Sequence, residues 1–506
     1  MCAPLKGPSP VPMLNASSEV ELTDECAQIY LSDFGLSSHL KQLLQQKRRK
    51  NLAELIGQAS VIETDLSGLG LSSGFFEYFG KFKAVRMSAA TKVWGTPGAF
   101  HWNSMSRMFL DVINFEVPVH EALNGYLTYL QASFTQGLAV HLNDFGRFAL
   151  AAYVCDKLPI TFEEEVKIRL PNALPGTNLA ILPALPHDSA VVNWKWLDRP
   201  MLDVIDDLKN SNSQNTCPLR ISDGPIESSA VVIQKLPVLE GPCGAIVVDS
   251  YEPCLNIPSV EVYRRIKDFT RCHHFLETVK RALARLTAYN ESLVKEMTLI
   301  TASATPMDAD VSDTAMFSGT SSAIFGACFL SAVGEPLFVA EMLLHEFCHN
   351  KLRLLQEVAQ LISDKYSNRS IFYSPWRDDP RPIDGLMHGL YVFSSIADFW
   401  LHVWRDQKTN EGERAMAQRR VGTLLLQLKF ACAEFTEHAE LTRTGKVFLG
   451  IISDRIYDLE SQTERWEFER LRPFFSGILK DNTLREMPIL ESVTRHKANW
   501  EASYRA

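Results

Sequence analysis

Apolar residues return every three or four positions through "SSHLKQLLQQKRRKNLAELIGQA" (37–59), the spacing that lines one face of an α-helix. The same period fills "MFLDVINFEVPVHEALNGYLTYLQAS" and "GRFALAAYVCDKL", with an interruption at Pro118. Residues from about 20 to 95 and from about 105 to 158 are therefore predicted helical. Between 160 and 250 the period shortens. "EEEVKIRLPNALPGTNLAILPALP", "SAVVNWKWLD", "AVVIQKLPVL" and "AIVVDSYEP" alternate apolar with polar residues between Pro and Gly, as strands with turns do. The polar tract 208–229 is expected to be a loop or linker. Residues 259–297 carry one long helical pattern, and a second begins at Leu337, after Pro336. A further apolar helix is expected to start after Gly385, with His388 in its first turn. The fold class is thus α+β, largely helical with a mixed, strand-containing middle segment. Its expected divisions are a helical region with a flexible tail (1–95), a helical and then strand-rich region suited to peptide recognition (96–258), and a helical region bearing the chemistry (259–506).

Composition changes this picture little. Of 506 residues, 46% are hydrophobic and 22% charged, which marks a folded chain rather than a disordered one. The net charge of −9 argues against nucleic-acid or anionic-membrane binding over the whole surface, and it suits a basic peptide partner. The ten cysteines show no CxxC spacing and the start shows no secretory apolar core, so reduced thiols and a cytoplasmic location are expected. No apolar run approaches the ~20 residues that cross a bilayer. The basic run at 47–50 is expected to be a solvated helix face. Cys272, His273 and His274 are adjacent, so they point to different faces of a helix and are expected at the surface.

The chemistry is concentrated in "LLHEFCHNKL" (343–352), which holds His-Glu-x-x-His. On a helix, His345 and His349 stand one turn apart on one face, so both imidazoles can reach one metal ion, with Glu346 beside them. This is the commonest sign of a zinc peptidase, and it needs a third ligand. The metzincin extension requires Gly at 352 and His at 355, where this chain has Leu at both. The next helical pattern lacks the Glu of a gluzincin. Glu357 lies about 12 Å along the helix from His349, too far to share its ion. Cys348, between the histidines, is expected to pack in the core.

The next polar cluster is "YSPWRDDPRPIDGLMHGLYVFSSIADFW" (373–400). His388 is the best third ligand it offers, and Asp378, Asp379 and Asp384 remain open as alternatives. Arg377 and Arg381, fixed between prolines, are groups that hold a dicarboxylate by bidentate pairing. Iron(II) with three protein ligands and 2-oxoglutarate fits such a set better than peptide hydrolysis does.

At this point the sequence resembles the 2-oxoglutarate-dependent, HExxH-type peptide β-hydroxylases of bacterial pathways for ribosomally made, modified peptides. The resemblance is carried by "SGTSSAIFGACFLS" (318–331), "LLHEFCHNKL", "FYSPWRDDPRP" (372–382) and "GLMHGLYVFSSIADFW" (385–400), in that order. Weaker similarity lies in "HLNDFGRFALAAYV" and "LPGTNLAI". It implies oxidation of a peptide β-carbon with Fe(II), 2-oxoglutarate and O₂. His345, His349 and His388 would be the metal ligands, on the HExxH helix and a following helix. Arg377 or Arg381 would hold the far carboxylate of 2-oxoglutarate, and Glu346 would orient a ligand or water. The implied partners are a precursor peptide and other peptide-modifying enzymes of the same pathway, with no nucleic acid and no membrane. The alternative from the motif alone is a zinc metallopeptidase.

Overall fold

A computed structural model of the protein describes residues 38–65, 73–115, 117–156, 166–169, 172–183, 191–194, 216–220, 230–252, 264–266, 268–308, 317–332, 334–363, 371–476, 496–500 and 502–503. The Pro- and Ser-rich opening stretch lies outside them, as does most of the polar tract 208–229.

The expected helical half is present as α1 (Ser38–Asp65), α2 (Ser73–Ala84), α3 (Met87–Trp94), α4 (Pro97–Phe115), α5 (Glu121–Leu130) and α6 (Phe134–Asp156). The break around Pro118 falls between α4 and α5. These helices enclose an aromatic core, with Trp94, Trp102, Phe75 and Phe82 packed edge-on or tilted around the ring of Phe145. Leu40, Leu43 and Leu44 of α1 leave that core and join the larger one around the HExxH helix.

The strand-rich middle comprises β1 (Val166–Arg169), β2 (Asn172–Leu174), β3 (Leu179–Pro183), β4 (Val191–Trp194), β5 (Thr216–Arg220), β6 (Ala230–Lys235), β7 (Val238–Glu240) and β8 (Ala245–Val248). β5 corrects the loop expected at 208–229. Its polar sequence carries no strand signal of its own, and pairing with β6, Cys217 opposite Ile233, sets its conformation. β1 pairs with β4, and the order β2-β3-β6-β5 forms an antiparallel sheet.

A second correction concerns 259–297. After β9 (Arg264–Arg265) the helix starts only at Phe269, and it divides into α7 (Phe269–Tyr289) and α8 (Glu291–Ile300). The side chains of Asp268 and Asn290 each accept the backbone N–H three residues on, which fixes two helix starts where the apolar period alone shows one. Cys272 is buried and donates its thiol to the Ile266 carbonyl, so it is not at the surface, whereas His274 is exposed.

β10 (Ser303–Asp308), β11 (Ser318–Gly319) and β12 (Ala327–Ser331) complete a sheet of order β11-β12-β10-β8-β7, with β9 on the end of β10. β10 runs parallel to both β8 and β12. β12 leads into α9 (Pro336–Gln356), which packs among α7, β12 and α10 (Ile383–Arg405). The expected start points move slightly. Pro336 is itself the first residue of α9, and α10 begins at Ile383 after Pro382, because a proline's fixed φ suits a helix start. His388 is therefore in the second turn. α11 (Glu411–His438) and α12 (Arg443–Ser476) close the far side of α10. Among the described residues no helix is long and apolar enough to cross a membrane.

Candidate metal centre

α9 is apolar on nearly every side, as a helix sunk in a core must be. Its few polar groups are therefore the informative ones. Lys351, fully buried, donates to Glu296 of α8 at 2.8 Å. Asn350 accepts from the Gly326 N–H and donates to the Thr320 hydroxyl, which pins the small-residue stretch 318–331 against the helix. Gly326 is required there. Its φ is +86°, and a Cβ would lie 2.9 Å from the Ile300 carbonyl oxygen. Cys348 is buried, as expected.

The remaining polar face holds His345 and His349 one turn apart, and α10 brings His388 to them. His349 Nε2 lies 3.1 Å from His345 Nε2, and His349 Nδ1 lies 3.1 Å from His388 Nδ1. Two stretches separated by 39 positions thus place three imidazoles in contact. Behind them, His388 Nε2 is 2.9 Å from Gln356 Oε1, and Gln356 Nε2 donates to Asp384 at 2.7 Å. Because that Gln oxygen can only accept, His388 carries its proton on Nε2 and turns the Nδ1 lone pair toward His349.

All three rings are held neutral. Burial lowers His388 to about 3 and His345 to about 4, and puts His349 well below its ordinary value. The charge of Arg353 adds to the lowering at His349 and His388, and that of Arg420 at His345. Neutral imidazole is the form that binds a metal, and a ligand ring whose other nitrogen is held by a neighbour, as Gln356 holds His388, is pre-oriented for it. In donor chemistry the set fits a divalent transition metal. His349, however, turns opposite nitrogens toward its two neighbours, and one lone pair cannot serve both. As the rings stand, no group of three or more His, Cys, Asp or Glu among the described residues is placed to hold a metal ion.

Glu346 flanks this cluster on the His345 side. It is buried, accepts a hydrogen bond from Ser318, and keeps 3.9 Å between its carboxylate and His345 Nε2. Burial raises it to about 7. Of the open carboxylates, Asp384 is the one beside the three clustered imidazoles, 3.8 Å from His388 Nε2. Asp378 contacts His496, and Asp379 lies between Arg377 (3.2 Å) and Arg381 (3.6 Å).

Arg377 and Arg381 are thus paired with one carboxylate, and the Arg377 side chain is 56% exposed. The loop that carries them is anchored by Trp376, whose ring stacks on Phe393 at 4.5 Å, and Phe393 stands edge-on to His345 at 5.2 Å. Arg420 is committed to Glu341. Arg353 and Gln356 bear no motif, but they lie four and seven positions beyond His349, the offsets that put side chains on one helix face. Of the basic run, Arg49 and Lys50 are exposed as expected, but Lys47 is not. Lys47 is mostly buried, bonds Glu357 at the end of α9 at 2.7 Å and lies over Phe325, so it ties α1 to the HExxH helix. Glu357, set aside on distance, has this role instead of a ligand's.

In comparisons with known proteins, no family model matches the chain and no curated protein matches it.

Proposed function

We propose that the protein is an Fe(II)- and 2-oxoglutarate-dependent oxygenase that hydroxylates the β-carbon of a residue in a ribosomally made peptide. The observation that carries this reading is the meeting of His345, His349 and His388 as neutral imidazoles, with Gln356 and Asp384 holding the third. His345, His349 and His388 would hold the metal. Bound iron(II) with 2-oxoglutarate and O₂ supplies the oxidation of C–H to C–OH, with succinate and CO₂ as co-products.

The chain's own residues do the rest. Gln356 fixes the tautomer of His388, and Asp384 fixes Gln356. Phe393, backed by Trp376, forms an apolar wall beside His345 that keeps water from that side of the ring. Glu346, bonded to Ser318 and buried, braces β11 against α9. Cys155, Cys243, Cys272, Cys328, Cys348 and Cys432 are free thiols, which suits work in the reducing cytoplasm.

The test is succinate release from 2-oxoglutarate by the Fe(II)-loaded protein in air, with and without a peptide library analysed by mass. Succinate coupled to gain of one oxygen atom by a peptide supports the oxygenase. Peptide cleavage by the zinc-loaded protein without 2-oxoglutarate would establish the peptidase instead.

A further inference from the structure

Beside the imidazole cluster, at the C-terminal end of α9, lies a cavity of about 340 Å³ lined by Lys50, Ser322, Arg353, Gln356 and Glu357. That volume is at the small end of the range for small-molecule sites, roughly 300–1,000 Å³. Two features mark it as built for an anion. Arg353 Nη1 is buried without a hydrogen-bond partner, and among the described residues the guanidinium makes no ion pair. Arg353 is half-buried, and a buried guanidinium nitrogen is costly unless something meets it. The other arginine whose charge reaches the imidazoles, Arg420, is already paired with Glu341.

The surrounding charges leave the position open for a ligand. Glu357 is the one carboxylate lining the cavity, and it is engaged by Lys47 at 2.7 Å and Lys50 at 3.4 Å. Glu346 and Asp384 exert a field on Arg353, yet Glu346 is bonded to Ser318 and Asp384 to Gln356. Gln356 connects the two halves, because it lines the cavity and also accepts from His388.

We infer that this cavity seats the far carboxylate of a small dicarboxylic acid on Arg353, with the acid's other end directed past Gln356 toward the histidines. Naming that acid 2-oxoglutarate rests on the function proposed above, whereas the carboxylate seat rests on the cavity alone. The role expected of Arg377 or Arg381 then passes to Arg353, and their shared pairing with Asp379 shapes the loop at 374–381. Lys50 at the mouth would add attraction without geometry, since a lysine is a point charge and an arginine a fork.

The probe is glutarate, which has both carboxylates and no chelating keto group, titrated calorimetrically into metal-free protein. Wild type, Arg377→Met and Arg381→Met should bind it alike, and Arg353→Met should bind roughly 10- to 100-fold more weakly, the usual worth of a charge-assisted fork. In wild type, glutarate should also protect Arg353 from phenylglyoxal modification, read by peptide mass, which needs no variant to fold. Absence of glutarate binding, equal binding by Arg353→Met, or loss confined to Arg377→Met or Arg381→Met would overturn the assignment. Glutarate binding without any 2-oxoglutarate–iron chelate would keep the carboxylate seat and sink the oxygenase. A chelate indifferent to Arg353 would do the reverse.

Discussion

Gly389 follows His388 on α10, and it is where the loop at 374–381 rests on that helix. A Cβ built there would lie 2.6 and 2.8 Å from Trp376 Cζ3 and Cε3, against the ~3.5–4.0 Å of an ordinary carbon contact. The indole would have to retreat by about 1 Å. It is not free to do so, because it is packed against the core and stacked on Phe393 at 4.5 Å with 16° between the planes. Overpacking of this kind costs about 1–3 kcal/mol, while replacing a mid-helix glycine with alanine returns about 1 kcal/mol. Gly389→Ala should therefore destabilise the protein by about 1 kcal/mol in urea denaturation. In a Trp376→Leu background, where the rigid ring is gone, the same change should stabilise it by about 1 kcal/mol. The double-mutant cycle should show a coupling of about 2 kcal/mol. Since Phe393 stands between Trp376 and His345, Gly389→Ala should also weaken metal binding. Stabilisation in both backgrounds would refute the steric argument, and unchanged metal affinity would refute the link to the histidines.

Three further outcomes are expected. Lys351→Met should cost about 3–5 kcal/mol by leaving Glu296 buried without its cation, and Lys351→Met with Glu296→Leu should recover most of that loss in denaturant melts. Burial, then the charge of Glu252, raises Asp249 from 3.8 to about 6, so the folded chain keeps a proton that the unfolded chain has released. That contribution is complete below about pH 4 and lost as pH rises through 6, up to about 3 kcal/mol, so Asp249→Asn should remove this fall in stability between pH 4 and 7. Because the imidazoles are already neutral, affinity for a divalent metal should stay flat from pH 7.5 down to about 5.5. A drop centred near 6.5, seen by calorimetry, would contradict their burial.

Local periodicity carried much of the fold, and it failed where a structure is made by partners. The helical character of α1 to α6 and the break at Pro118 follow from spacing, whereas the divisions between α1, α2 and α3 and the start of α4 at Pro97 do not. β5 does not, since Thr216–Arg220 becomes a strand only beside β6. The break at Asn290 was legible in principle, because a side chain that caps the next helix competes with continuing the last one. At the site, the meeting of His345 and His349 follows from helix geometry, and His388 was reached by asking what a metal lacks. Arg353 and Gln356 belong to no motif, though their offsets from His349 place them on its face. Lys47 could not be found this way, because its partner Glu357 lies 310 positions away.

Anaerobic titration of the purified protein with Fe(II), with and without 2-oxoglutarate, tests the central claim most directly through the weak visible charge-transfer band of the chelate. The band should appear with both present, and it should be lost in His345→Ala, His349→Ala and His388→Ala. No band, together with tight zinc binding and cleavage of peptides without 2-oxoglutarate, would contradict the account and return His-Glu-x-x-His to its commonest meaning.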